Sequence, residues 1–299
     1  MNQGTGETPF LVLGYAAPET TDEARRNMTE FAMLVGARAG VDIAVSPLGS
    51  YHRVTQLIHK GKLDLAWVSP IPYIALVRND SVVPLVSPFR GGVNYHGALI
   101  VSAKTNVGDL ATLKGKTAAW VDRYSAAGFV VPRIELAKAG LDVKNAFKSQ
   151  RFYGSHEAVA RAVSTGVADF GATFVRLAPN CAVIGGPWSG TPGLEASLRI
   201  FATFGAIPPD VITATPKLHP DIRERIRGAL LSIANDARGK DLLTAVFGAE
   251  ALREASTDGY ESLRTSAMAA AQEQLLDIEE ELDAEEIAGP DRTQPMKAP

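Results

Sequence analysis

The chain is poor in cysteine: Cys181 is the one example in 299 residues. That excludes an intrachain disulfide and any multi-cysteine zinc site. Set beside Pro179 and Asn180 ahead of an apolar run, the thiol reads as a small buried core residue. No segment reaches the roughly 20 apolar residues of a membrane helix, so no membrane insertion is expected. Positive charge is not in surplus: 30 Lys and Arg stand against 33 Asp and Glu, a formal charge of -3. A nucleic-acid partner needs a basic surface and is not expected. The first ten residues, Met1 to Phe10, lack a basic start followed by a long apolar stretch, so no signal peptide is read there. As written, the chain is expected in the cytoplasm, and in the periplasm if an export signal has been removed. No nucleophile–base pair stands at catalytic spacing and no metal-ligand cluster is visible, so neither metal nor cofactor is expected.

What is present is a large apolar fraction, 46%, enough for a real core, in a length that suggests two lobes. Short apolar runs alternate with amphipathic stretches. Phe10–Tyr15, Val41–Val45 and Leu63–Val68 read as strands, and Thr20–Ala39 and the stretch from Ser50 to Gly61 as helices. Met28, Phe31, Leu34 and Val35 recur at helix spacing in the first of these helices, which Gly40 stops. Val82–Val86 and Gly97–Ser102 are further strand candidates. The alternation then repeats: strands at Thr117–Val121, Gln150–Tyr153 and from Asp169, helices at Phe129–Ala139 and Ser155–Ser164. Val183–Gly186 and Leu198–Phe204 read as strands, and Pro216–Ala234 and Lys240–Phe247 as helices. Such alternation predicts an α/β fold with parallel sheets covered on both faces. A long amphipathic helix is predicted from about residue 258 to 287, with an acidic face from Glu273 to Glu286, followed by a disordered tail over 288–299.

Four places share one grammar: an apolar strand, a small polar residue, then a helix. They are Ser50-Tyr-His, Ser69-Pro, Ser125-Ala-Ala-Gly and Gly154-Ser-His-Glu157. In open α/β sheets ligands bind at the rim formed by the carboxyl ends of the strands, and several helix N-termini meeting there suit an anion. Tyr51 and Tyr124 adjoin these turns in the sequence, and with Tyr15 and Tyr95 they are candidate walls for a small-ligand site. His156 can donate a hydrogen bond to an oxyanion while neutral. Asp169 opens a strand and is a candidate acceptor for a ligand hydroxyl or amine.

Taken in order, Gly61-Lys-Leu-Asp-Leu-Ala-Trp-Val-Ser-Pro-Ile-Pro-Tyr73, Tyr95-His-Gly-Ala-Leu-Ile-Val101, Asp109-Leu-Ala-Thr-Leu-Lys-Gly-Lys116, Ser125-Ala-Ala-Gly-Phe-Val-Val-Pro132, Gly154-Ser-His-Glu-Ala158 and Gly166-Val-Ala-Asp-Phe-Gly171 form a set. The chain resembles, on these segments, the PhnD-like phosphate, phosphite and phosphonate-binding proteins of ABC transporters, from about residue 11 to 247. The resemblance implies a two-lobe type II periplasmic-binding-protein fold with a two-strand hinge, here crossing near Val101–Lys104 and Ile200–Phe204. Lobe one would hold residues 9–101 and 205–255, and lobe two 102–204. It implies a small anionic ligand between the lobes, held by Ser125, His156, Tyr51, Tyr95 and Asp169; Tyr15, Ser69, Tyr124, Ala126, Ala127 and Gly128 complete the expected site. An ABC permease or a signalling protein is the implied partner.

The chain departs from the family in one respect that bears on the ligand. Ala126 and Ala127 stand where the family's turn carries Thr and Ser, so two hydroxyl donors are missing. A hydrogen bond to a charged group contributes about 1.5–3 kcal/mol, so this loss points to weaker phosphonate binding or to a different or bulkier anion. Two other readings compete. An enzyme on the same fold would draw its acid or base from His52, His59, His96, His156 or Asp169, and fold alone does not decide function. An interaction protein would use the acidic C-terminal helix as its working surface.

Overall fold

A computed structural model describes residues 8–17, 20–106, 108–191, 193–256 and 259–272 of the chain. Each apolar run named above becomes a strand and the amphipathic stretches between them become helices. In chain order these are β1 (Phe10–Ala16), α1 (Asp22–Ala39), β2 (Asp42–Leu48), α2 (Tyr51–His59), β3 (Leu65–Val68), α3 (Pro70–Arg78), β4 (Val83–Phe89) and β5 (Asn94–Ser102). Next come β6 (Thr117–Trp120), α4 (Val131–Lys138), β7 (Ser149–Phe152), α5 (His156–Ser164), β8 (Phe170–Leu177), β9 (Val183–Gly185) and β10 (Leu198–Ala206). The last are β11 (Val211–Ala214), α6 (Pro220–Leu231), α7 (Ala237–Phe247), β12 (Ala251–Glu254) and α8 (Tyr260–Gln272).

The strands form two sheets, one per lobe. The first runs β12-β4-β11-β3-β1-β2 and the second β10-β5-β8-β6-β7, with β9 on the end of β8. Each has a parallel heart, β2-β1-β3 and β7-β6-β8, extended by antiparallel strands. β5 pairs with β8 along its whole length, from Asn94 to Val101. Residues 94–101, expected in the first lobe, therefore belong to the second sheet. The chain crosses between Phe89 and Asn94 and returns between Ala206 and Val211, outside the crossings expected near 101–104 and 200–204. Composition marks β5 and β10 as strands but does not say which partner wins them. The return carries Pro208 and Pro209, which cannot donate to a ladder and so end β10.

The two parallel hearts are built the same way at their amino-terminal rim. Gly61 and Gly166 follow α2 and α5 in left-handed backbone, at φ 63° and 76°, which glycine adopts freely. Three residues later an aspartate turns back to the first strand. Asp64 Oδ2 accepts from Val12 N at 3.0 Å and Asp169 Oδ2 from Thr117 N at 2.7 Å. The backbone of each returns the bond: Asp64 N donates to Val12 O and Asp169 N to Thr117 O, both at 3.0 Å. This corrects the ligand-site expectation for Asp169. It is exposed at the beginning of β8, the end opposite the rim where strands open into helix N-termini, and it is occupied in closing the sheet.

α8 spans the crossovers. Tyr260 packs edge-on against Tyr73 of α3, ring centroids 4.8 Å apart, and its hydroxyl donates to the carbonyl of Pro209. Leu263 and Ala270 join the second lobe's apolar cluster with Ile134 of α4. The rest of the helix predicted to 287, and the tail over 288–299, lie outside the described residues. Cys181 also departs from expectation: it is exposed, with φ 63°, in the tight turn between β8 and β9. No described helix is long and apolar enough to cross a membrane.

Candidate functional site

The strand ends deliver four serines to helix starts, as their spacing predicts. Ser50 Oγ accepts from Arg53 N at 3.1 Å, Ser125 Oγ from Gly128 N at 3.0 Å and Ser155 Oγ from Ala158 N at 3.1 Å, the ordinary N-cap bond. Ser69 makes no such bond. The donor it would accept from, three residues on, is Pro72, which has no N–H. The Ser69 hydroxyl is left buried without a partner among the described residues, as is that of Tyr15.

Between the lobes lies a cavity of about 270 Å³. Tyr15, Ala16, Met28, Tyr51, Trp67 and Val246 line it from the first lobe, and Val121, Gly154, Ser155 and His156 from the second. Its walls are thus aromatic and aliphatic with a few polar groups at helix starts, the usual make-up of a small-ligand site. Tyr15 and Trp67 stack with ring centroids 6.4 Å apart.

His156 is the first residue of α5. Its Nδ1 lies 3.0 Å from the Thr173 hydroxyl, and its ring meets Phe174 edge-on at 5.0 Å. Burial lowers its pKa from 6.5 to about 4, so the ring is neutral at pH 7. The Thr173 hydroxyl can donate to Nδ1, which leaves the proton on Nε2 and makes that nitrogen a donor. Burial pushes the Tyr51 hydroxyl far up, with Asp210 and then Asp122 adding to the effect, so it too stays protonated and able to donate.

The remaining predicted residues, Ser69, Tyr95, Tyr124 and the turn Ser125, Ala126, Ala127 and Gly128, are not among those that line this cavity. Tyr95 stacks on Phe174 at 5.0 Å, and burial, followed by the Asp210 charge, pushes its pKa up. Tyr124 faces His52 across the lobes, hydroxyl to Nδ1 at 3.3 Å and ring to ring at 5.6 Å. The turn Ser125, Ala126, Ala127 and Gly128 is buried. Its two alanines belong to the same apolar cluster as Ile71 of α3 and Phe204, so their methyls go into packing and not into the cavity wall. A Cβ at Gly128 would lie 2.3 Å from Val121 Cγ2, a close approach that only glycine allows.

Three charged residues nearby were not legible from the motifs. Arg90, after β4, donates to the Phe247 carbonyl from Nε at 3.1 Å and Nη2 at 2.8 Å. Asp210, before β11, has its pKa raised by burial and held back by the Arg90 charge and the Trp67 indole. Arg176, on β8, is directly across from Tyr95 and 5.5 Å from the Phe174 ring. Two of these come from the crossovers and one from a strand interior, where no turn signature flags them.

Residues 13–260 match the family described as the periplasmic substrate-binding protein of a phosphonate ABC transporter. The chain belongs to that family. Solved structures share the fold of these phosphonate-family proteins. The binding-protein component of an ABC phosphonate transporter from Pseudomonas aeruginosa superposes with a TM-score of 0.78 at 18% identity, over 90% of this chain and 88% of that one. PhnD1 from Prochlorococcus marinus, solved with methylphosphonate, gives 0.75 at 17% identity over 88% and 98%. The alkanesulfonate-binding protein SsuA from Xanthomonas axonopodis pv. citri, bound to MOPS, gives 0.58 at 16% over 91% and 96%. The family, like the site, is one of solute binding by two lobes.

Proposed function

We propose that the chain holds a phosphonate or related phosphorus oxyanion in the cavity between its lobes and presents it to an ABC permease in the periplasm. The observation that carries this reading is His156: a neutral imidazole at a helix N-terminus, tied at Nδ1 to the Thr173 hydroxyl and lining the cavity. An oxyanion there meets Nε2–H, the Tyr51 hydroxyl and the first free N–H groups of α5, with the helix dipole favouring negative charge. Tyr15, in the cavity wall, adds a hydroxyl without a partner among the described residues. The turn at Ser125, left with alanine methyls packed inward, contributes shape and cedes the hydroxyl grip to the opposite side of the cavity.

Calorimetric titration with methylphosphonate, phosphite and phosphate tests this. A bound ligand at a hundred times its Kd adds about 2.7 kcal/mol of stability, visible in a thermal-shift assay. His156→Ala and Tyr51→Phe are each expected to weaken binding about tenfold or more, the equivalent of about 1.4 kcal/mol for a lost charge-assisted bond. Unchanged affinity in both variants would place the anion elsewhere.

A further inference from the structure

Arg176 is a half-buried cation without a matching anion among the described residues. Its Nε has no hydrogen-bond partner among the described residues, and no described carboxylate forms an ion pair with it. Its guanidinium is pressed toward the end of α7: a Cβ on Gly248 would lie 3.1 Å from Nη2, and the same helix end gives Ala245 and Val246 to the cavity wall. The charged and titratable groups that act on Arg176 are Arg90, of like sign, and Tyr95. The one buried acid of this cluster, Asp210, is set against Arg90. Arg90 thus has a carboxylate beside it, whereas no described carboxylate acts on Arg176. Leaving such a charge unpaired is costly, so the arrangement is complete only when something acidic arrives.

Arg176 and His156 both touch the ring of Phe174. The two groups therefore flank one aromatic ring. Resting on the reading that His156 holds an oxyanion head, we propose that Arg176 takes a second acidic group, so that the preferred ligand is a short organophosphonate bearing a carboxylate. The planar guanidinium fork matches a carboxylate in two parallel hydrogen bonds. A simple alkylphosphonate would leave it unpaired, and an aminoalkylphosphonate would bring like charge against it.

The test is titration of the full chain with methylphosphonate, aminoethylphosphonate and phosphonoacetate. Phosphonoacetate is expected to bind at least about tenfold tighter than methylphosphonate, and aminoethylphosphonate no tighter. Arg176→Gln is expected to erase that preference while methylphosphonate affinity stays within about threefold. Arg176→Lys keeps the charge without the fork and is expected to retain part of the preference. The unliganded Arg176→Gln protein is expected to melt at or above the wild-type temperature, because an unpaired half-buried charge has gone. Equal affinity of the wild type for the three phosphonates overturns the inference and leaves the oxyanion reading standing. A full preference in both Arg176 variants also overturns it. If none of the three binds, the oxyanion reading fails and the inference with it.

Discussion

His156 occupies a place where the start of a helix and the loss of water both disfavour a proton. The consequence for stability has a definite sign. Its pKa falls from 6.5 to about 4 on folding, so between these values the unfolded chain binds more protons and stability drops as the pH falls. Asp122 and Asp210 are shifted upward by burial and act in the opposite direction. The difference between wild type and His156→Gln isolates the histidine: denaturation at a series of pH values is expected to show the wild type losing more stability from pH 6.5 to 4. Parallel curves would mean that the imidazole is solvated. Asp169 gives a second test at this scale. Asp169→Ala removes the carboxylate bond to Thr117 N and is expected to lower stability by about 1 kcal/mol while leaving phosphonate affinity unchanged; a loss of affinity would return it to the site. Sequence alone put His156 at a helix start, where the structure lines the cavity with it, because a Ser-His pair after a glycine is a local signal. It misplaced Asp169, because the end of the strand on which an acid works depends on strand direction. Arg176 and Asp210 carried no local signal at all.

Elements were more legible than their partnerships. The starts of α2, α3 and α5 and the turn before α4 follow from serines after apolar runs, a rule that involves a few neighbouring atoms. Even there Ser69 caps by position only, since Pro72 lacks the N–H three residues on that its side chain would use. β11 and β12, four residues each, are too short to show a period. The allegiance of β5 was unreadable for a different reason: pairing is won by strands far away in the chain. α8 illustrates the same limit, since its apolar stripe was visible but not the surface it covers. Tyr260 sits on Tyr73 while Leu263 reaches the other lobe's cluster. Tyr260→Ala is expected to cost about 3 kcal/mol, as aromatic truncations in cores do, and to lower Tm by several degrees. A melt unchanged within a degree would show that α8 is not needed to join the crossovers.

At the scale of the molecule, the lobes meet at their edge through His52 and Tyr124. A contact made only while two lobes are together opposes ligand escape. Tyr124→Phe is expected to speed phosphonate dissociation a few-fold, in line with about 0.5–1.5 kcal/mol for one neutral hydrogen bond, with little change in the association rate. Stopped-flow fluorescence separates the two, and an effect confined to association would assign Tyr124 to steering. The paired aspartates at the far rim have a wider consequence. Asp64 and Asp169 fasten each sheet at the end away from the cavity, using glycines and backbone groups that do not line it. The end that holds the sheets together is thus separate from the end that chooses the cargo. Evolution can exchange side chains at the strand tips, alanine for hydroxyl or arginine for another group, without unpicking the sheets beneath, and a lineage can change diet while keeping its skeleton.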